Sequence, residues 1–374
     1  MSIQTLINPD ATTPAETPTG DIEAPALDLA EVEQFVLKVA TDLGAAHNSV
    51  LAYLGDRLGL WSALATHPAS TSFQLAEHTG LTERYLREWL AAEAAAGYVS
   101  YDPASGTFSL PAAHAAVLAD SDSPVFMASG FEVVAAVWAS VDQLAHGYAT
   151  GEGVGWHEHD SRLFTGFERF FRPVYRTALV SEWLTAVPGL VDRLRSGARV
   201  LDVGCGLGTA TIIMAEAFPE STFVGVDYHE ESVRRATVAA LGAGFADRTS
   251  FAVKGATSYD GEFDVICMFD TLHDLGDPAG ALAHARQHLS EDGFLVAVEP
   301  NAGDRLEDNL HPLGLTWYAS GHSLCVANSL AQGGEALGAQ AGPARTLQVF
   351  ADGGFPEAQV YTQTMLNMVL GSRK

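Results

Sequence analysis

From Glu31 the apolar positions follow a helical period, with Val32, Phe35, Val36 and Val39 at i, i+3, i+4 and i+7. A second apolar helix is predicted over Val50, Leu51, Leu54 and Leu58, followed by Leu60, Trp61 and Leu64. Ser72 stands where it would cap a short helix that runs through Thr79 and stops at Gly80. Thr82 would cap the next helix, which extends to about Ala96. Two strands, 98–101 and 107–110, flank an Asp-Pro-Ala-Ser-Gly turn. Helix, turn, helix and hairpin together predict a winged helix. Residues 112–195 return to helical patterning, and 163–184 carry Phe164, Phe167, Phe170, Phe171, Tyr175 and Trp183. From Arg199 short apolar strands alternate with helices, the pattern of a parallel α/β sheet. Strands are predicted at 199–203, 222–226, 249–253, 263–269 and 293–298, with two more near 359–363 and 367–372.

A chain of 374 residues suggests two domains, or one with a large extension. Residues 1–29 are rich in Thr, Pro, Ala and acid, lack Lys and Arg, and predict a mobile tail. A helical winged-helix domain follows over 30–112, then a helical linker over 113–195 and an α/β domain over 196–374. The 20 Lys+Arg against 46 Asp+Glu give a formal charge of -26, which disfavours phosphate backbones and anionic membranes. Nucleic-acid and membrane partners are therefore not expected. Cys205, Cys267 and Cys325 form no CxxC pair, so neither a disulfide framework nor a metal site is expected. The start of the chain lacks signal-peptide character and no run of about 18 apolar residues occurs, so a cytoplasmic location is expected.

The candidate chemistry begins where the first strand of the α/β domain ends. Arg199-Val-Leu-Asp-Val203 runs into Gly204-Cys-Gly-Leu-Gly208 and then a helix. Glycines let a backbone turn sharply and approach a ligand closely. A dinucleotide loop spaces them GxGxxG to seat a pyrophosphate on a helix N-terminus. Here the spacing is GxGxG, and Asp202 stands two residues before the first glycine. A carboxylate there repels a pyrophosphate but suits a cationic amino group. The second strand leads into Asp227, where a carboxylate can accept from both hydroxyls of a ribose.

The segments LDVGCGLGT and VGVDYH, with the closing hairpin, resemble class I S-adenosylmethionine (SAM)-dependent methyltransferases. The likeness extends over about residues 31–374, to bacterial methyltransferases with an N-terminal winged-helix domain. It is carried by LGDRLGLW, LREWLAAEAAAGYV, FDTLHDLGDP, VEPNAGDRLEDN and LGAQAG. The resemblance implies a Rossmann-like, seven-stranded methyltransferase domain behind an all-helical winged-helix domain, with SAM as cofactor. Asp202, Gly204, Cys205 and Gly206 would line its methionine part, and Asp227 and Tyr228 would hold the ribose and flank the adenine. Ala256 and Thr257 would sit at the adenine edge, where many relatives place an acid. Phe269 and Asp270 would lie beside the sulfonium and amino group.

Methyl transfer to a hydroxyl needs in-line placement and a base. His273, in Phe269-Asp-Thr-Leu-His-Asp274, follows the fourth strand at the ligand-binding edge of an α/β sheet. The segment is similar to that of caffeate-type O-methyltransferases, whose corresponding histidine is the base. A structural histidine over the cofactor is the alternative. Asp274 either orients the imidazole or caps the helix that begins near Pro278, and Glu299 either pairs with His273, positions the acceptor or is structural. Trp156-His-Glu-His-Asp160 has a metal-like composition but reads as a solvated loop. Trp317, Tyr318, His322 and Cys325 could join the aromatic stretch around an apolar acceptor.

The second winged-helix helix carries Arg84 and Arg87 against Glu83, Glu88 and Glu93, which is no DNA-binding stripe. In similar methyltransferases this domain makes a homodimer and helps to cover the acceptor. The expected activity is SAM-dependent methylation of a hydroxyl on a small aromatic or lipophilic acceptor. N-methylation, a ligand-sensing regulator on a SAM fold and a catalytically silent SAM-binding protein are the alternatives.

Overall fold

The computed structural model describes residues 27–374, so residues 1–26 of the expected tail lie outside the described residues. The chain divides into two compact units, one ending at Pro111 and one beginning at Ala112.

The first unit contains α1 (Leu29–Arg57), α2 (Leu60–Thr66), α3 (Ser72–Thr79), α4 (Glu83–Ala95), β1 (Ser100–Asp102) and β2 (Thr107–Ser109). Asp28 caps α1 through the amides of Ala30 and Glu31, so helix replaces the predicted tail at Leu29. The two predicted apolar helices are one, because nothing between them breaks a helix. Gly44 costs only about 1 kcal/mol there. The unit's core gathers Leu60, Trp61, Leu64, Leu75, Leu86, Trp89 and Leu90. Trp61 and Trp89 donate their indole N–H groups to the Ala52 and Leu51 carbonyls of α1, at 3.1 and 2.9 Å. Gly55 makes that approach possible, since a Cβ would meet the Trp61 ring at 2.6 Å. The cap of α3 is Thr71, in a capping box with Gln74, rather than Ser72. Ser72 instead donates to Glu83 at 2.6 Å. On α4 both arginines pair within the helix, Arg84 with Glu88 and Arg87 with Glu83.

Glu93 is fully buried under α1, accepting from Asn48 at 3.1 Å on one oxygen while the other has no partner. Burial pushes its carboxyl up from 4.5 to about 7. The folded form thus holds a proton that the unfolded chain releases at lower pH. Stability is intact below about pH 4.5, falls as pH rises to about 7, and then levels off, a loss of order 3 kcal/mol. Glu93→Gln keeps the acceptor without the charge. Its melting temperature should exceed that of the wild type at about pH 8 and converge with it at about pH 5. Parallel melting curves at both pH values would contradict this.

The second unit opens with α5 (Ala112–Leu118), α6 (Gly130–Ala139), α7 (Val141–Thr150) and α8 (Arg162–Val174). Helix α8 continues as a π-helical stretch, Tyr175–Trp183, and ends at Leu184–Ala186. Then come α9 (Leu190–Arg195), β3 (Arg199–Val203), α10 (Thr209–Ala217), β4 (Thr222–Asp227), α11 (Glu230–Ala243), β5 (Thr249–Val253) and β6 (Phe263–Phe269). The chain closes with α12 (Pro278–His288), β7 (Leu289–Pro300), α13 (Pro312–Gly321), α14 (Gly342–Asp352), β8 (Gln359–Gln363) and β9 (Asn367–Arg373). Between α13 and α14 lie a π-helical stretch, His322–Val326, and a short helix, Ala327–Ala331.

The seven strands run in the order β5-β4-β3-β6-β7-β9-β8. All neighbours pair in parallel except β9, which is antiparallel to both β7 and β8. Alternation along each strand feeds two cores, as a sheet covered on both faces requires. Val200, Val265 and Cys267 pack with Trp183 and Leu184, while Leu201, Ile266 and Met268 pack with Leu282 and Phe350. Strand order reverses between β3 and β6. The loops leaving those two strands therefore diverge at the sheet's C-terminal edge, where ligands of α/β folds bind. Among the described residues, no helix is long and apolar enough to cross a membrane.

Candidate active site

The loop after β3 turns on three glycines in the left-handed region, Gly204 (φ 74), Gly206 (φ 51) and Gly208 (φ 80). At Gly204 a Cβ would meet the Thr271 side chain at 2.4 Å, so glycine there lets the loops after β3 and β6 touch. At Gly206 a Cβ would meet nothing within 4 Å, which leaves open space against a bare backbone. Gly204 and Cys205 donate their amides to the Val226 carbonyl, tying the loop to β4. The Asp227 carboxylate accepts from the amides of Gly206 at 3.0 Å and His229 at 2.9 Å. It thus lies directly against the open glycine, and burial raises its pKa.

Asp202 is buried beneath the loop and accepts from Thr211 at 2.5 Å. Burial pushes its carboxyl up to about 7, against the lowering effect of that hydrogen bond. Such a group favours a cation beside it. Tyr228 donates to Asn328 at 3.3 Å. The turn after β5 is held beside Asp227 by Lys254, whose amide donates to the Asp227 carbonyl at 3.0 Å. Beyond it Ala256 packs against the core and Thr257 is exposed. Phe269 turns its ring into the core against Tyr175, so only its backbone faces the sheet edge. Asp270 has φ 50, a strained value for a non-glycine residue, and is half-buried. It is held by Tyr175 Oη at 3.2 Å and Asn367 Nδ2 at 3.3 Å, and burial pushes its pKa up to about 7.

Glu299, at the end of β7, organises the next turn. Its Oε1 accepts from the amides of Thr271 and Leu272, and its Oε2 accepts from the amide of His273. The same Oε2 lies 2.5 Å from His273 Nδ1. Glu299 therefore pairs with His273. His273 Nε2 faces Asp274 Oδ1 at 3.2 Å. Burial alone would lower the histidine pKa, but Asp274 and Glu299 outweigh it and raise the pKa well above the usual value. Asp274 is not the helix cap. Asp277 caps α12 through the Gly280 amide at 2.7 Å, because it directly precedes Pro278. Asp274 instead contacts the imidazole and accepts from Trp156 Nε1 at 3.0 Å.

That last contact corrects the solvated-loop expectation for 156–160. Trp156 is half-buried against Phe164 and Phe167, and His159 is buried on Ser140 at 2.9 Å. Asn328, which no sequence signal marked, joins three parts of the site. It accepts from the Trp156 amide at 3.1 Å and from Tyr228, and donates to the Asp274 carbonyl at 3.0 Å. Cys325 and Leu324 pack with Trp317, Phe164 and Phe167 in one cluster. Both π-helical stretches carry site residues, Tyr175 and Cys325, as such irregular turns often do.

Residues 175–340 match a family model described as a methyltransferase domain. Over those residues the chain is similar to methyltransferase domains. Residues 46–120 match an Rv2258c-like winged HTH domain, the second part of the expected architecture. The 27-O-demethylrifamycin SV methyltransferase of Amycolatopsis mediterranei is 34% identical over 120 residues, 30% of this chain and 44% of the relative. The matched stretch thus spans less than half of that curated protein. Among solved structures, the mitomycin 7-O-methyltransferase MmcR shares the fold with a TM-score of 0.68 and 20% identity, over 92% of this chain and 100% of that one. Human N-acetylserotonin methyltransferase, solved with SAM, gives a TM-score of 0.63 and 17% identity, over 95% and 99% of the two chains. The residues of the methyltransferase domain fit the cofactor. Asp202 is a buried carboxyl beneath the loop, Gly206 opens onto free space, and Asp227 stands beside it.

Proposed function

We propose that this protein methylates a hydroxyl of a small aromatic or lipophilic molecule, with His273 as general base. Bound SAM would supply a methyl group already activated by its sulfonium charge. Asp202 would balance the ammonium of the methionine part, and Asp227 would accept from the ribose hydroxyls. Tyr228 would flank the adenine, with the turn holding Ala256 and Thr257 at its edge. The backbone of Phe269 and Asp270 would border the sulfonium. As the acceptor oxygen bonds to the methyl carbon and the carbon–sulfur bond breaks, the hydroxyl proton would pass to His273 Nε2. Glu299 fixes the ring through Nδ1, and the two carboxylates stabilise the imidazolium that forms. Asp274 positions the ring with Glu299.

The observation that carries this reading is the Glu299–His273 pair beside the glycine loop. The O-methyltransferase names of the similar proteins support the choice of a hydroxyl. Screening metabolite extracts with radiolabelled methyl donor tests it. Label transferred to a small hydroxylated product is expected. Transfer only to amines would favour N-methylation, and no transfer by a protein that binds SAM would sink the reading.

No role in DNA binding is proposed, since Arg84 and Arg87 are spent on glutamates of their own helix. The buried free cysteines fit a reducing, cytoplasmic setting. The first half of α1 exposes Phe35, Leu37 and Leu43, which suits a second copy of the chain as partner. Light scattering should give a dimer mass that Phe35→Glu with Leu43→Glu reduces to monomer. A wild-type monomer would remove this partner.

A further inference from the structure

A ring nitrogen of His273, a carboxylate oxygen of Asp274 and the Sγ of Cys325 lie within 4.8 Å of one another, all on buried residues. They come from two separate parts of the chain, the 3-10 turn after β6 (Leu272–Asp274) and the π-helical turn His322–Val326. A nitrogen, a carboxylate oxygen and a thiol form a donor set suited to zinc and similar thiophilic ions. The surroundings are those of a supported metal ligand set. Glu299 holds the far nitrogen of His273, which aims Nε2 inward, as carboxylates do behind metal-bound histidines. Trp156 occupies Asp274 Oδ2, while buried Oδ1 faces His273 Nε2 at 3.2 Å. Two buried carboxylates share a single imidazole as their charged partner.

We propose that His273, Asp274 and Cys325 bind a thiophilic divalent cation of the zinc class, which occupies the His273 nitrogen and silences methyl transfer. Binding takes the neutral imidazole as a nitrogen ligand and the thiol as a thiolate, whose proton leaves to solvent. With thiolate and carboxylate on the ion, the three-ligand centre is neutral, and a fourth position is left for water. The site itself stands on the placement of the three donors. Its effect on turnover rests on His273 being the base.

The test uses the full-length, untagged protein, stripped with a chelator and titrated with Co²⁺ alone. One equivalent should bind with a thiolate-to-cobalt absorption band, and Zn²⁺ should displace it. Cys325→Ser and His273→Ala should each lose the band while circular dichroism stays native. No band in the wild type would overturn the site. A band that persists in Cys325→Ser would place the metal on Cys205 or Cys267 and also overturn it. On the turnover side, Zn²⁺ should abolish methyl transfer and a chelator should restore it. Binding without inhibition would overturn the silencing and count against His273 as the base, whereas a missing band beside normal turnover would leave the base reading intact.

Discussion

Asp227→Ala is expected to weaken binding of S-adenosylhomocysteine by about 10²–10⁴-fold. The estimate follows from two charge-assisted hydrogen bonds, each worth roughly 1.5–3 kcal/mol, from the ribose hydroxyls to one carboxylate. The carboxylate is well placed to make them. It is tethered by Gly206 and His229 at the side of the loop where a Cβ would find open space. Alanine also removes those tethers, so part of the loss would come from a looser loop. Asp227→Asn separates the two effects. It keeps an acceptor for the Gly206 amide but cannot accept twice from the sugar, so a loss of about tenfold is expected. Isothermal calorimetry measures both variants. Unchanged affinity in a folded Asp227→Ala protein would mean that the sugar sits elsewhere, and the cofactor geometry would fall with it.

The glycine-loop part of the candidate site was legible in the sequence because it is local. Asp202, the three glycines and Asp227 lie within 26 residues on consecutive strands, and the pattern of two strands and a glycine turn fixes where they meet. The strands of the sheet lie where the apolar runs placed them. The main difference is β7, which starts at Leu289 rather than 293. Helix starts were less legible. Thr71 rather than Ser72 caps α3, and Asp277 rather than Asp274 caps α12. Several capping residues stand within a few positions in both segments, and only backbone geometry selects among them.

The part of the candidate site around His273 was mostly hidden because its contacts are long-range. Trp156 and Asp274 are 118 residues apart, and Tyr228 and Asn328 are 100 apart. Nothing in the local sequence of Asn328 marks a residue that joins the two halves. His273 was visible through its neighbours in sequence, but its clamp between two carboxylates was not. The same applies to Cys325, whose spacing to His273 matches no familiar metal pattern. It reaches His273 and Asp274 only because a π-helical turn packs beneath Trp156 and Phe167.

His273→Ala is expected to lower the rate of methyl transfer to a hydroxyl by about 10²–10⁴-fold while leaving the affinity for S-adenosylhomocysteine within a few-fold. The imidazole contacts Glu299, Asp274 and Cys325, and none of these is in the glycine loop. The substitution has a structural cost as well. It leaves two buried carboxylates without their shared partner, a loss of about 3–5 kcal/mol when one side of a buried pair is removed. A fall in rate alone would therefore not separate a base from a support. The decisive readout is how the loss depends on the acceptor. An acidic phenol gives up its proton readily and needs the base least, so its rate should fall much less than that of a weakly acidic hydroxyl. A support for the loop would depress both rates equally. Glu299→Gln provides the companion measurement, since it keeps acceptors for the Thr271 and Leu272 amides but cannot balance an imidazolium. It should reproduce the same dependence on acceptor acidity at smaller amplitude. Equal losses across acceptors in both variants would assign His273 and Glu299 to holding the turn, and the proton would have to leave by another route.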